Sequence, residues 1–211
     1  MEPYQSPHSS FNHSNHSTPP LKTPPTPDKK ENFFAEIVKF TFIALLIVLP
    51  IRLFIAQPFI VSGASMDPTF DTGEYLIVDQ LSYQVSEPQR GQVVVFKYPK
   101  DETKFFIKRI IGLPGETVIL DGTTVIIKNK ENPDGFRLNE PYISLNNEKD
   151  DNVTITLKAD QFFVLGDNRR QSFDSRSWGV LPRNMIIGKA FIRLFPIDKI
   201  SILPGDYKEA K

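Results

Sequence analysis

Between Tyr75 and Phe195 the chain repeats one pattern, a short run of β-branched and aromatic residues cut off by Gly, Pro, Asn or Asp, and this leaves little room for anything but a β fold. The runs are Tyr75 to Val78, Val93 to Lys97, Phe105 to Ile111, Val118 to Leu120, Val125 to Lys128, Val153 to Leu157, Phe162 to Leu165 and Ile186 to Phe195. No long stretch repeats apolar residues at helical spacing, so helices have no stripe from which to build a core. Asp121-Gly122, flanked by apolar runs, is a two-residue hairpin signal. The expected class is mainly β, an antiparallel barrel-like or sandwich domain over 60–211. Within it, 129–152, rich in Asn, Glu, Lys and Asp, reads as a solvated excursion.

Upstream the composition changes twice. Residues 1–32 hold seven of the 18 prolines and all three histidines among many Ser, Thr and Asn, a mixture that cannot bury enough apolar surface to offset its ordering entropy; a disordered tail is expected. From Phe33 the chain turns apolar, and Phe40 to Ile51 carries no charge between Lys39 and Arg52. A membrane span needs about 20 residues, which the run reaches if Lys39 and Arg52 snorkel toward opposite interfaces. A cleavable signal peptide would begin near residue 1 and end at a small-X-small site, and neither is present. Residues 33–59 are therefore expected to be a single transmembrane anchor with Pro50 near its outer end. Lys22, Lys29, Lys30 and Lys39 precede it and no Lys or Arg lies between Arg52 and Arg90, so the tail is expected in the cytoplasm and the β domain across the membrane.

His8, His13 and His16 all lie in the tail and there is no cysteine, so the β domain has no means to build a Ser-His-Asp triad, a Cys-His pair or a His/Cys zinc site. The 25 Lys and Arg balance 25 Asp and Glu, and bulk charge points to neither nucleic acid nor a strongly acidic partner. Two residues remain as candidates for nucleophilic chemistry. Ser65 sits in the loop Gly63-Ala64-Ser65-Met66-Asp67-Pro68-Thr69, where Gly63 permits close backbone approach and Pro68 stiffens the exit. Lys108 lies inside Phe106-Ile107-Lys108-Arg109-Ile110-Ile111, followed by the rigid turn Gly112-Leu113-Pro114-Gly115. Alternation puts Phe106, Lys108 and Ile110 on one face of that strand and Ile107, Arg109 and Ile111 on the other. Apolar neighbours lower a lysine pKa, which the amine needs before it can take a proton from serine. The competing reading of Lys108 is a strand-edge lysine snorkelling to solvent, and that of Ser65 an ordinary loop serine.

A third cluster runs Gly166-Asp167-Asn168-Arg169-Arg170-Gln171-Ser172-Phe173-Asp174-Ser175-Arg176-Ser177-Trp178-Gly179, and taken alone it reads as a hydrogen-bonded structural loop. With Ser65-Met66-Asp67-Pro68-Thr69, Arg90-Gly91-Gln92-Val93-Val94-Val95-Phe96 and Lys108 to Gly115, in that order behind an apolar segment, it resembles the type I signal peptidases, the membrane-bound Ser/Lys endopeptidases. The resemblance runs from about Phe40 to Pro196.

Residue by residue, the resemblance implies Ser65 as nucleophile and Lys108 as general base. The backbone N–H groups of Ser65 and Gly63 would line the oxyanion hole, and Ser172 would hydrogen-bond and orient the lysine. Asp167 with Arg109, and Asp174 with Arg176, would be structural charged pairs, while Met66, Phe106 and Ile107 would help line the substrate cleft. Many relatives have serine where this chain has Gly63 and aspartate where it has Gln92. The implied substrate is the signal peptide of an exported preprotein, bound extended along a strand edge with small residues at the minus one and minus three positions, and the reaction needs neither cofactor nor metal. The lipid bilayer, and candidate export machinery, are the other expected partners. Two rivals stay open: a Ser/Lys autoprotease of the SOS-repressor type, which would need a helical DNA-binding domain in place of the tail and anchor, and a non-enzymatic membrane-tethered binding domain.

Overall fold

A computed structural model describes residues 33–50 and 56–207. The expected disordered tail and residues 51–55 of the expected anchor lie outside the described residues. Helix α1 (Phe33–Pro50) occupies the amino-terminal part of the expected anchor, and Phe40, Phe42, Leu46 and Ile47 on it are exposed. At about 1.5 Å rise per residue it is about 27 Å long, short of the roughly 30 Å of a bilayer's hydrocarbon. No helix among the described residues is long and apolar enough to cross a membrane. The carboxy-terminal end of the same expected anchor is not helical, for Ala56–Ile60 forms strand β1.

The remaining strands are β2 (Tyr75–Asp79), β3 (Val93–Tyr98), β4 (Asp101–Gly112), β5 (Thr117–Gly122), β6 (Thr124–Lys128), β7 (Phe136–Arg137), β8 (Asp151–Thr156), β9 (Gln161–Leu165), β10 (Leu181–Pro182), β11 (Ile186–Phe195) and β12 (Ser201–Ile202), all but the two-residue β7, β10 and β12 falling on the sequence runs. One-turn helices α2 (Ser82–Val85) and α3 (Ser175–Trp178) complete the described elements of regular structure, with a few short 3-10 turns. Every described pairing is antiparallel. The larger sheet runs β1-β2-β11-β3-β4-β9-β10, with β12 on the free part of β11, and the smaller runs β7-β6-β5-β8. β11 therefore lies between β2 and β3, which do not pair with each other.

Apolar alternation explains the packing. Val94 and Phe96 of β3 pack with Ile110, Phe162, Val164, Trp178, Leu181 and Ile186, while Val93 turns the other way onto Val61, Met66, Phe70, Leu76 and Ala190. A strand buried on both faces reads as a continuous apolar run, as Val93-Val94-Val95-Phe96 does. Ile111, Phe163 and Leu165 of the large sheet meet Val118, Leu120, Val125 and Ile127 of the small one. The β5–β6 hairpin has Gly122 and Thr123 at its tip, one residue later than the Asp121-Gly122 signal, since Asp121 still pairs with Thr124. Gly122 supplies the positive φ, 61°, that such a turn requires.

The segment 129–152 is largely exposed or half-buried, with local order inside it. It contains β7 and a 3-10 turn, Leu145–Asn147, and buries Leu138 and Asn147.

Candidate active site

The loop between β1 and β2 carries Ser65. It is closed at its base by Val61 N donating to Glu74 O and Gly73 N to Val61 O, both at 2.9 Å. Its top is set by Gly63, whose φ of 92° suits a residue without a Cβ. Two motifs hold the loop in place. Phe70 N donates to Met66 O at 2.9 Å, and Asn168 N, from the Gly166 to Gly179 cluster, donates to Ser65 O at 3.1 Å. The approach is so close that a Cβ on Gly166 would stand 2.3 Å from both Ser65 O and Ser172 Oγ, which explains why that cluster opens on glycine.

Strand β4 brings Lys108 to the serine. Its Nζ donates to Ser65 Oγ at 2.7 Å and to Ile107 O at 2.8 Å. The side chain is buried, 4% exposed, with the ring of Phe106 5.5 Å from Nζ. Phe106 is itself stacked on Tyr98, centroids 4.9 Å apart, and flanked by Phe96 at 6.3 Å. Burial pushes the Lys108 pKa down to about 8, against the opposing pull first of Asp174 and then of Asp167. With that value about one molecule in ten holds a neutral amine at pH 7, enough for a base 2.7 Å from a hydroxyl.

Both expected charged pairs form. Arg109, one residue on and facing the other way, donates from Nε to Asp167 Oδ1 at 2.8 Å and from Nη2 to Asp167 Oδ2 at 2.6 Å, and both side chains are fully buried. Its Nη1 donates to Gly91 O at 2.6 Å and also to Gly205 O. Thr69 Oγ1, from the serine loop, donates to Asp167 Oδ2 at 2.5 Å, so this pair ties together the lysine strand, the cluster and the nucleophile loop. Arg176 grips Asp174 at 2.7 and 2.8 Å, and Asp174 in turn accepts from Gly166 N at 3.1 Å. Burial would raise the Asp174 carboxyl, but the Arg176 guanidinium more than offsets it and holds the group below the usual carboxylate range.

Three expected roles meet a different geometry. Ser172 Oγ is buried and lies toward the Asp174 carboxylate, helping to lower its pKa, and the bond to Lys108 that the resemblance implies is not made in this structure. Met66 does not face the cleft; at 1% exposure it packs into the core beside Phe70 and Leu76. Gly63 N already donates to Thr72 Oγ1 at 3.1 Å, which leaves Ser65 N–H as the free donor of the two assigned to an oxyanion. Gln92 serves a local turn, its Oε1 accepting from Tyr83 OH at 2.7 Å and Gln89 N at 3.0 Å.

Beside the Ser65–Lys108 pair lies a cavity of about 110 Å³ walled by Phe59, Val61, Leu76, Val95, Phe106 and Ile107, the last two as expected. Its walls are mostly aliphatic and aromatic, with Ser65 and Lys108 at its polar end. Contributions that sequence reasoning missed are the backbone N–H of Asn168, the close approach at Gly166 and Thr69. All three lie inside the quoted motifs, but a backbone donor and a missing Cβ leave no chemical signature of their own.

Chemically, a serine hydroxyl against a buried amine with no counter-ion is an arrangement able to supply a nucleophile and its base. The profile of the family described as Signal peptidase, peptidase S26, matches residues 34–195. A signal peptidase I of Leptolyngbya laminosa is 35% identical over 88% of this chain and 92% of its own length. A signal peptidase I of Bacillus licheniformis is 35% identical over 81% of this chain and 94% of its own. A crystal structure of a signal peptidase I from Enterococcus faecalis, 31% identical, covers 50% of this chain and 97% of that one with a TM-score of 0.42.

Proposed function

Since the chain belongs to the signal peptidase family, peptidase S26, and is a serine peptidase, we propose that it removes amino-terminal signal peptides from exported preproteins with Ser65 as nucleophile and Lys108 as general base. The observation that carries this reading is the 2.7 Å contact between a buried lysine amine and the serine hydroxyl. The neutral Lys108 amine takes the Ser65 proton as Oγ attacks the scissile carbonyl; the carbonyl oxygen turns toward Ser65 N–H; Lys108 then returns the proton to the leaving amine. Water, deprotonated by the same amine, hydrolyses the acyl-serine. No cofactor or metal has a part in these steps. Ser172, which the resemblance implies orients the lysine, has the role of a hydrogen-bond partner for Nζ in this reading.

Specificity for small apolar residues at minus one and minus three belongs to this proposal, and the apolar walls of the cavity beside Ser65 support the apolar part of it. Phe59 to Ser62 on one side and Phe105 to Lys108 on the other frame a slot for an extended peptide, whose main chain supplies affinity and whose small side chains supply selectivity. We read the part of 33–59 that precedes β1 as a membrane anchor, supported by the exposed apolar side chains of α1 and by the charge asymmetry around it, with the tail cytoplasmic and the β domain on the far side.

Incubating the full chain with a labelled preprotein and mapping the cut by mass spectrometry tests the whole reading. A single cut after small residues at minus one and minus three is the expected result. Cuts scattered through the mature sequence, or a preprotein that binds and stays intact, would overturn it.

A further inference from the structure

The segment joining β7 to β8 touches each of the three motifs that build the site. The Tyr142 ring lies 3.9 Å from the Arg109 guanidinium carbon, on the arginine that grips Asp167. Glu140 pairs with Arg169, whose Nε donates at 3.0 Å to Gly166 O, beside the point where that backbone meets Ser65. Asn147, 9% exposed, donates from Nδ2 to Asp67 O at 2.9 Å and to Asp67 Oδ2 at 3.0 Å, two residues past the nucleophile. A polar cavity of about 330 Å³, lined by Leu138, Glu140 and Ile143 of this segment and by Arg169 and Arg176 of the cluster, separates much of it from the domain. Leu138 anchors the start of the segment in the apolar core, and beyond it the segment is placed chiefly by these directional bonds.

We propose that residues 138–147 form a strap that positions the nucleophile, with Asn147 as the positioning residue: its two hydrogen bonds to Asp67 fix the turn that aims Ser65 Oγ at Lys108. Asn168 N restrains the turn at Ser65 O and Asn147 restrains it at Asp67, so the loop is held from two sides. Asn147 touches neither substrate nor reacting atoms. Its loss lets the turn drift, and a displacement of about 1 Å at a nucleophile costs up to about a hundredfold in rate. This role rests on Ser65 being the nucleophile.

The test uses the full chain and a labelled preprotein, with kcat, KM, the pH-rate profile and the melting temperature measured for each variant. Asn147→Ala should lower kcat by about tenfold while KM changes by less than about twofold and the Lys108 limb of the profile stays in place. Asn147→Asp should fall at least as far, because carboxylate then faces carboxylate, and should recover part of the loss in combination with Asp67→Asn, which restores the side-chain bond with donor and acceptor exchanged but not the bond to the backbone carbonyl of residue 67. Leu145→Ala, at an 85% exposed position of the same turn, should match wild type. A folded Asn147→Ala enzyme with unchanged kcat, a loss seen in KM alone, or an equal loss in Leu145→Ala would overturn the role. If Asn147→Ala fails to fold, the exchanged pair decides: no recovery overturns it. Ser65→Ala stands apart as the control, since turnover by that variant would defeat the nucleophile assignment whatever Asn147 does.

Discussion

Lys108 and Arg109 are neighbours on one strand, both cations, both buried, and they do opposite things. Arg109 faces a carboxylate and two backbone carbonyls, so that although burial pulls its pKa down, Asp167 more than offsets this and the guanidinium stays charged. Lys108 meets aromatic and aliphatic walls with a hydroxyl and one carbonyl, and burial wins. The period-two alternation of a β strand is what delivers adjacent residues to such different surroundings. A buried cation with its counter-ion is a rivet, and one without it is a base.

Exchanging the side chain while keeping its charge is the hardest blow to this contrast. Lys108→Arg installs a group that never gives up its proton, and preprotein cleavage should fall by on the order of 10⁴ or more, as it should in Ser65→Ala. Turnover near wild type in folded Lys108→Arg would end the claim that a neutral amine is required. Next comes the rivet: Asp167→Asn strands Arg109 without its anion and should cost about 3–5 kcal/mol of stability, read from the denaturant midpoint. A far smaller loss would mean that the Gly91 and Gly205 carbonyls suffice.

The third effect carries the opposite sign. Lys108→Met should be inactive yet more stable than wild type at pH 7, by about 1–3 kcal/mol, because the folded protein no longer has to hold an unpaired ammonium in an apolar site. The unfolded lysine keeps its proton up to about 10.4, while the folded one loses it near about 8. Between those values the unfolded chain binds more protons, wild-type stability rises with pH, and the advantage of Lys108→Met should shrink. Parallel denaturation curves of the two proteins from pH 7 to pH 10.5 would contradict this. The smallest effect is a shift in profile. Wild-type rate should climb with pH through about 8 as the amine deprotonates, and Ile110→Asn, which brings a polar group to a fully buried neighbour, should move that limb alkaline, toward the roughly 10.4 of free lysine. An unmoved limb in an active Ile110→Asn enzyme would show that this face of the strand does not set the protonation of Lys108.

The eight runs read from the sequence all became strands, because each is long enough for alternation and turn residues to mark it. β7, β10 and β12 were not legible: two residues have no period, and they are strands only because a partner lies alongside. β1 was hidden inside an apolar stretch, where a membrane helix and a sheet edge look alike by hydropathy. Asn147 and Tyr142 sat in a polar segment that composition marks as solvated, yet the former is buried with two hydrogen bonds and the latter, half-buried, lays its ring against Arg109. Ser65, Lys108 and the two charged pairs were legible through motif resemblance. Their distances were not, nor was the inward turn of Met66, since adjacent loop residues need not alternate as strand residues do.

The position of β11 carries a consequence for the order of events at the protein's birth. The serine loop belongs to the β1–β2 hairpin and the lysine to the β3–β4 hairpin, and β11, which emerges after both, is the strand that lies between β2 and β3. Contacts such as Arg193 Nη2 to Thr69 O, 124 residues apart in sequence, close only when that strand arrives. Long loop closures of this kind are slow and come late in folding. A nascent chain up to about residue 185 thus holds Ser65 and Lys108 on hairpins that only β9 and the Gly166 to Gly179 cluster bridge, with the strand between β2 and β3 still missing. Synthesis itself delays the protease, which gains its cutting power only as the molecule is finished.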